Sequence, residues 1–193
     1  MFYLAVSGST HLAALALSDV EALFALINAN RAHLRAWVPW VDETHTLADT
    51  LRFIAGAQRQ AQDGQALYTG LWHEGELAGV LALNYIDRWR QQTEIGYWLG
   101  AAYQGRGLMT AACRALVDYA FTELALNRVE IRCSAENYRS RAVPQRLKFV
   151  EEGAQPQFEW LDGRYIEMIV YAMNPATWSE VNSALPTAGS GSL

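Results

Sequence analysis

The sequence of 193 residues has few features of a metal site, a disulfide framework or a membrane helix. Cys113 and Cys133 are its only cysteines, and neither they nor the four histidines have the spacing of metal ligands. No apolar run approaches the roughly 18 residues of a membrane helix. The start of the chain lacks the basic region of a secretory signal. We therefore expect no metal cofactor, no membrane contact, a cytoplasmic location and two reduced, largely buried thiols.

Basic charge is also scarce, since 15 Lys and Arg face 20 Asp and Glu and give a formal net charge of −5. A nucleic-acid-binding domain would carry a basic footprint, so we expect no nucleic-acid partner. An acidic protein attracts cations, which mildly favours an amine or a basic peptide as substrate.

The hydrophobic pattern predicts one mixed α/β domain over residues 1–178, followed by a flexible tail over 179–193. A first strand is expected over Ser9 to Ala16. Ser18 and Glu21 have the spacing of a capping box, which predicts a helix from Asp19 to Asn30. The other predicted helices cover Thr46 to Asp63, Arg106 to Leu124, and a short segment ending at Leu147. Predicted strands cover Ala66 to Trp72, Glu76 to Tyr85, Glu94 to Leu99, Val129 to Cys133, Glu151 to Leu161 and Tyr165 to Met173.

The most informative stretch is the strand Glu94 to Leu99, followed by a glycine-rich turn, Tyr103 to Thr110, that leads into a helix. Free backbone N–H groups at the positive end of a helix form a cradle for phosphate. A Rossmann fingerprint would need a third glycine where Thr110 stands, and the Gly-Lys-Ser/Thr of a Walker loop is absent. A phosphate-bearing ligand of another kind is therefore expected.

At this point the chain resembles the GNAT acyl-CoA N-acyltransferases, and among them the RimJ/RimL-type ribosomal-protein N-acetyltransferases. Gln104 and Gly107 match the family's pyrophosphate loop, Gln/Arg-x-x-Gly-x-Gly/Ala, and Met109 departs from it. The further matching motifs are Glu94 to Trp98, Leu126 to Glu130, Asn137-x-x-Ser140-x-Ala142-Val143, Arg146 to Phe149 and Glu152-Gly153; Lys148 replaces an expected glycine.

The resemblance implies a twisted, mostly antiparallel sheet flanked by helices, with two strands splayed at an acetyl-CoA site. Acetyl-CoA would be the co-substrate. The residues that the resemblance places at this cofactor are Tyr97, Trp98, Leu99, Gln104, Gly105, Arg106, Gly107, Leu108, Met109, Thr110, Asn137 and Ser140.

The resemblance also implies two catalytic residues, Glu159 as general base and Ser140 as general acid toward the sulfur of CoA. A backbone N–H near Trp98 or Leu99 would hold the oxyanion. Glu94 is a competing base, Ser140 could instead be a helix N-cap, and Glu159 could be a solvated carboxylate. Cys133 is expected to be a buried strand residue and not a nucleophile.

The substrate end is expected to include Trp37, Trp40 and Tyr138, with plain core packing as the alternative. A protein α-amine has a pKa near 8 and a lysine amine near 10.4, so a single carboxylate base suits the α-amine better. N-terminal acetylation of a protein is therefore favoured over acetylation of a polyamine or an aminoglycoside. A weakly catalytic acyl-CoA-binding module is a further alternative, and a homodimer is expected from the resemblance.

Overall fold

The computed structural model describes residues 2–161 and 163–184, apart from the side chains of residues 159 and 184. The helices are α1 (Val20–Arg35), α2 (Leu47–Gln62), α3 (Leu108–Thr122), α4 (Tyr138–Arg146) and α5 (Pro175–Ala184). The strands are β1 (Tyr3–Ser7), β2 (Thr10–Ala14), β3 (Leu67–His73), β4 (Glu76–Asp87), β5 (Gln92–Leu99), β6 (Arg128–Ser134), β7 (Val150–Leu161) and β8 (Arg164–Met173).

The eight strands form a single sheet in the order β1-β2-β3-β4-β5-β6-β8-β7. Neighbouring strands are antiparallel except β5 and β6, which run parallel because α3 connects them. The predicted fold class, a mostly antiparallel sheet flanked by helices, is confirmed.

Two apolar clusters hold the helices on the sheet. The larger one packs α3 through Leu116 and its neighbours against strand residues that include Leu81. The smaller one packs α1 and α2 around Val80 of β4. Val80 and Leu81 are consecutive in a strand, so they face opposite sides of the sheet. Helices therefore cover both faces, and the apolar side of α3, with Leu108, Ala112, Leu116 and Ala120, lies in the core.

The N-terminal region differs from the sequence prediction. The expected first strand is β2, and a further edge strand, β1, pairs with it. The Ser18–Glu21 capping box is wrong, because Asp19 accepts a hydrogen bond from the Ala16 N–H at 2.8 Å. The helix also continues to Arg35, beyond the predicted end at Asn30. The Asn30 side chain supports this continuation by bonding to the Leu26 carbonyl within the helix.

The last helix, α5, crosses residue 178, where the sequence predicts the domain to end, and continues to Ala184. Asp118 on α3 accepts hydrogen bonds from Trp178 Nε1 at 2.6 Å and Asn182 Nδ2 at 2.9 Å. Trp178 is buried, so it fixes the helix to the core. Residues 185–193 of the predicted tail lie outside the described part of the chain.

Candidate active site

A cleft opens where β5 and β6 separate. The two strands pair from Gln92 and Arg128 as far as Ile95 and Ile131, and beyond this point no pairing between them is seen in the described residues. The backbone of Gly96 to Leu99 thus has one side free of a neighbouring strand. The cleft has a volume of about 2580 Å³ and reaches the start of α3. The predicted splay of the two strands is confirmed.

The glycine-rich turn forms one end of this cleft. Gly105 and Gly107 both have a φ of 76°, a left-handed conformation that L side chains rarely adopt. Gly107 is also the N-cap of α3, and no atom lies within 4 Å of a Cβ built at either glycine. The turn therefore presents the positive end of a fifteen-residue helix to open space, as a pyrophosphate group requires.

The Gln104 side chain is held from two directions. Its Nε2 lies 2.7 Å from His33 Nε2 on α1, and its Oε1 accepts a hydrogen bond from Arg139 Nη1 on α4 at 2.9 Å. These contacts connect the turn to helices on both sides of the cleft. Sequence reasoning missed His33, which is distant in the chain. It also missed Arg139, although Arg139 stands next to Ser140 in the quoted motif.

Most of the predicted cofactor residues line this one cleft. Among the predicted site residues with described side chains, only Arg106 does not line the cleft. Its guanidinium lies 5.9 Å from the centre of the Tyr103 ring. Arg114 on α3 and Arg146 on α4, neither of which was predicted as a site residue, also line the cleft. They place positive charge near a site predicted to bind phosphate, in a protein of net charge −5.

Ser140 lies in a cluster with Tyr97 and Cys133. Its Oγ is 3.2 Å from Cys133 Sγ and 3.3 Å from the Tyr97 hydroxyl. Asn137 is the N-cap of α4, because its side chain accepts a hydrogen bond from the Ser140 N–H at 3.1 Å. The alternative role of Ser140 as the N-cap is therefore wrong. Its hydroxyl faces the gap between β5 and β6.

The two neighbours of Ser140 are neutral. Burial raises the pKa of the Tyr97 phenol well above its ordinary value. Burial also raises the pKa of the Cys133 thiol. A buried thiol with a raised pKa is a weak nucleophile, which agrees with the interpretation of Cys133 as a strand residue.

The aromatic residues predicted for the substrate end line the same cleft. Trp40 lies in a 3₁₀ helix, Pro39–Glu43, and packs on Trp98 with ring centroids 5.9 Å apart. Trp37 follows the end of α1 and is half-buried. Tyr138 opens α4 with 74% of its surface exposed. Tyr138 is therefore not a core residue. Trp40 lines the cleft and also packs against the edge of the smaller apolar cluster.

Glu94 and Glu159 are the two candidates for the general base. Glu94 is engaged on both oxygens, by Asn84 Nδ2 at 3.0 Å and by Arg132 Nη1 at 3.0 Å. The side chain of Glu159 lies outside the described part, and its backbone pairs with Ile166 in β7–β8. The neighbouring Phe158 ring lies 5.6 Å from the Arg132 guanidinium, so this part of β7 approaches the cleft.

Comparison with known proteins identifies the fold. Residues 10–150 match the family described as an acetyltransferase (GNAT) domain, and the chain belongs to this family. The ribosomal-protein-serine acetyltransferase of Escherichia coli is 33% identical over 86% of this chain and 93% of its own length. The protein YdaF of Bacillus subtilis is 38% identical over 83% and 88%, respectively.

Solved structures agree with these relatives. RimL, a ribosomal alpha-N-protein acetyltransferase solved in complex with coenzyme A, superimposes with a TM-score of 0.87 at 31% identity. The alignment covers 90% of this chain and 98% of that chain. The microcin self-immunity acetyltransferase MccE, solved with acetyl-CoA and AMP, has a TM-score of 0.84 at 29% identity, covering 88% and 94%.

The protein is therefore an acetyl-CoA-dependent N-acetyltransferase. Its co-substrate fits the cleft, because the two left-handed glycines leave the helix end open to phosphate. Within residues 2–161 and 163–184, no group of three His, Cys, Asp or Glu side chains could hold a metal ion. No helix in this part is long and apolar enough to cross a membrane.

Proposed function

We propose that the protein acetylates the N-terminal α-amine of a ribosomal protein. The single observation that carries the proposal is that the Ser140 hydroxyl and the open end of α3 lie in one cleft. The resemblance assigns both features to a ribosomal-protein acetyltransferase. The relative in E. coli is named for a ribosomal-protein serine, and RimL is named for an alpha-N-protein reaction.

In this proposal acetyl-CoA lies between β5 and β6. The N–H groups of Gly105 to Thr110 hold the pyrophosphate, and the free backbone edge at Tyr97 to Leu99 bonds the pantetheine amides. Gln104 keeps the turn in place through its contacts with His33 and Arg139. Leu108, Met109 and Asn137 complete the site, while Arg106 acts from outside the cleft on solvent-exposed phosphate.

The chemistry is a direct transfer. The neutral amine attacks the acetyl carbon, a backbone N–H near Trp98 or Leu99 stabilises the oxyanion, and Glu159 removes a proton from the amine. The carbon–sulfur bond then breaks, and Ser140 donates its hydroxyl proton to the departing sulfur. Ser140 regains a proton from solvent, and Glu159 releases to solvent the one that it took from the amine. Glu94 is the weaker candidate for the base, because both of its oxygens already accept hydrogen bonds from neighbouring side chains.

The α-amine is favoured by the free energy of deprotonation. At pH 7 roughly a tenth of an α-amine is neutral, against a few parts in ten thousand of a lysine amine. Only the neutral amine can attack, so a site with one carboxylate base acetylates an α-amine faster than a lysine amine at this pH. The half-buried Trp37 and the exposed Tyr138 both line the cleft, which supports an acceptor that extends out of it.

The experiment is mass spectrometry of ribosomal N-terminal peptides, polyamines and aminoglycosides incubated with acetyl-CoA and enzyme. We expect a gain of one acetyl group on a peptide α-amine. Glu159→Gln should lower kcat by roughly 10²–10⁴-fold. Glu167→Gln is the matched control, since it removes the same charge from an exposed glutamate of β8. Equal activity of the two variants would overturn the role of Glu159.

A second candidate is a small-amine acetyltransferase. The spermidine N(1)-acetyltransferase of E. coli is 30% identical over 48% of this chain, and the net charge of −5 suits a polycation. Acetylation of the small amines alone would establish this function. No acetylation of any acceptor, with acetyl-CoA binding retained, would indicate the acyl-CoA-binding module.

Two further expectations belong to the proposal. A ribosomal acceptor requires a cytoplasmic location. The side chains of Trp160 and Tyr165 are exposed and pack edge to face, with ring centroids 4.9 Å apart, and they offer an apolar surface for a homodimer. Sedimentation of the purified protein at several concentrations would test the oligomeric state. We also propose that residues 1–178 act as a single domain, to which α5 adds the residues up to Ala184.

A further inference from the structure

A continuous chain of polar side chains crosses the sheet beneath the cleft. Arg128 Nε donates to Glu130 Oε1 at 2.8 Å, and Glu130 Oε2 contacts Arg132 Nη2 at 2.8 Å. Arg132 Nη1 in turn contacts Glu94 Oε2 at 3.0 Å. The chain ends on β4, where Asn84 Nδ2 donates to Glu94 Oε1 at 3.0 Å. Each member is thereby oriented by the one before it.

The last member, Asn84, lines the cleft and carries an acceptor that Glu94 does not use. A carboxylate only accepts hydrogen bonds, so Glu94 requires the Asn84 NH₂ group to face it. The carboxamide oxygen of Asn84 must then face away from Glu94. Within the described part of the chain this oxygen has no hydrogen-bond partner, and Asn84 is an exposed residue that lines the cleft. An oriented acceptor at this place suits an N–H donor on a ligand.

Gly96 makes room for this arrangement. A Cβ at Gly96 would lie 2.7 Å from both the nitrogen and the oxygen of the Asn84 carboxamide. Real Cβ atoms do not approach so closely, so any larger residue at position 96 would displace the amide. Gly96 belongs to the free edge of β5, two residues before Trp98, where the oxyanion is proposed to bind.

The distances match a peptide N-terminus. Two residues along a strand correspond to about 7 Å. An attacking α-amine lies roughly 3 Å from the acetyl carbon. The peptide N–H of the second residue follows three covalent bonds later, about 3–4 Å from that amine. The second-residue N–H of a peptide acceptor bound along β5 therefore falls near Asn84, whereas a polyamine has no amide N–H there.

We propose that the Asn84 carboxamide oxygen accepts a hydrogen bond from the second-residue peptide N–H of the acceptor and so selects peptide α-amines. This inference rests on the proposed function. Asn84 is a specificity-determining residue, and Glu94, Arg132 and Gly96 are positioning residues that act through it.

The experiment uses two serine-initiated peptides that differ only at the second residue, alanine or N-methylalanine. The N-methyl group removes the N–H and keeps the α-amine. The quantity measured is the ratio of kcat/KM for the alanine peptide to kcat/KM for the N-methylalanine peptide. We expect wild-type enzyme to prefer the alanine peptide, and Asn84→Ala to lower the ratio about tenfold, as the loss of one hydrogen bond implies.

Two further variants complete the test. Gly96→Ala should lower the same ratio, because its Cβ displaces the Asn84 amide. Asn28→Ala is the matched control, since Asn28 is exposed on α1 and bonds Arg31. The ratio compares two substrates of one variant, so partial unfolding alone does not change it.

The outcomes separate the two proposals. A wild-type ratio near one, or a ratio unaltered in Asn84→Ala, would overturn the role of Asn84 and leave α-amine acetylation standing. Acetylation of neither peptide by wild-type enzyme would overturn the proposed function, and the role of Asn84 would fall with it.

Discussion

The Tyr97 hydroxyl donates a hydrogen bond to the Ser140 carbonyl oxygen at 2.8 Å and thereby joins β5 to α4. This bond crosses the gap that the separation of β5 and β6 leaves. The same hydroxyl lies 3.3 Å from Ser140 Oγ, so one phenol fixes both the backbone and the side chain of the proposed general acid. The width of the cleft at Ser140 thus depends on Tyr97.

Removing this hydroxyl should cost stability. Tyr97→Phe leaves the Ser140 carbonyl without this donor, and we expect the free energy of unfolding to fall by about 1 kcal/mol. Urea unfolding monitored by circular dichroism measures the change. Tyr138→Phe is the control for stability, because Tyr138 is 74% exposed. An equal loss of stability in the two variants would contradict the proposed bond.

Gly107 should affect acetyl-CoA binding specifically. Gly107→Ala forces a φ of 76° on a residue with a Cβ, which costs about 1–2 kcal/mol or moves the turn. We expect the KM for acetyl-CoA to rise at least tenfold, with little change in the KM for the acceptor. Steady-state kinetics with each substrate varied in turn gives both values.

A matched glycine controls for backbone strain. Gly64 follows α2, has a φ of 66° and has open space at its Cβ position. Gly64→Ala should lose similar stability and keep the wild-type KM for acetyl-CoA. A raised KM in both variants would mean that general destabilisation, and not the phosphate turn, causes the effect.

Cys133 should be dispensable for the chemistry. The proposed direct transfer forms no acyl-enzyme, so we expect Cys133→Ala to keep kcat within about threefold of wild type. Loss of a true nucleophile would reduce kcat by several orders of magnitude. A single-turnover experiment with radiolabelled acetyl-CoA gives a second readout, since no label should remain on the denatured protein.

The two thiols should make the protein less stable at alkaline pH. Burial raises the pKa of Cys133 and raises that of Cys113 well above its usual value. Above about pH 8.5 the unfolded chain releases these protons while the folded protein keeps them. The unfolded state then binds fewer protons, so the free energy of unfolding falls as pH rises, by at most about 1.4 kcal/mol per pH unit for each thiol.

Urea unfolding between pH 7 and 9.5 tests this prediction. A variant with both Cys113→Ala and Cys133→Ala should show a flatter dependence on pH over the same interval, even though its stability at pH 7 is lower. An equally steep fall in the variant would assign the effect to other groups.

Much of the fold was predictable because its signals are local. A helix was predicted from Thr46, and Thr46 is the N-cap of α2, with a side chain that accepts a hydrogen bond from the Asp49 N–H. The hairpins that link β3 to β4 and β7 to β8 turn at Gly75 and Gly163, and glycine is a residue that such turns favour. The missed strand, β1, has no local signal of comparable strength, because an edge strand is stabilised by its pairing with β2.

The site was predictable in part, for the same reason. Gln104, Gly107 and Ser140 stand in short motifs whose spacing fixes their place on a turn or a helix. His33 and Asn84 were not predicted, since neither belongs to such a motif. His33 contacts Gln104, which is 71 residues away in the chain, and Asn84 contacts Glu94 across the pairing of β4 with β5.

The sequence by itself determined the family, the acetyl-CoA chemistry and the phosphate turn, since each depends on residues a few positions apart. The tertiary structure decided which side chains meet across the separated strands. It placed the Ser140 hydroxyl beside Tyr97 and Cys133, and it engaged both oxygens of Glu94. Among the described residues it left the Asn84 oxygen without a hydrogen-bond partner. Such contacts join β4, β5, β6 and α4, and only the packing of these elements brings them within hydrogen-bonding distance.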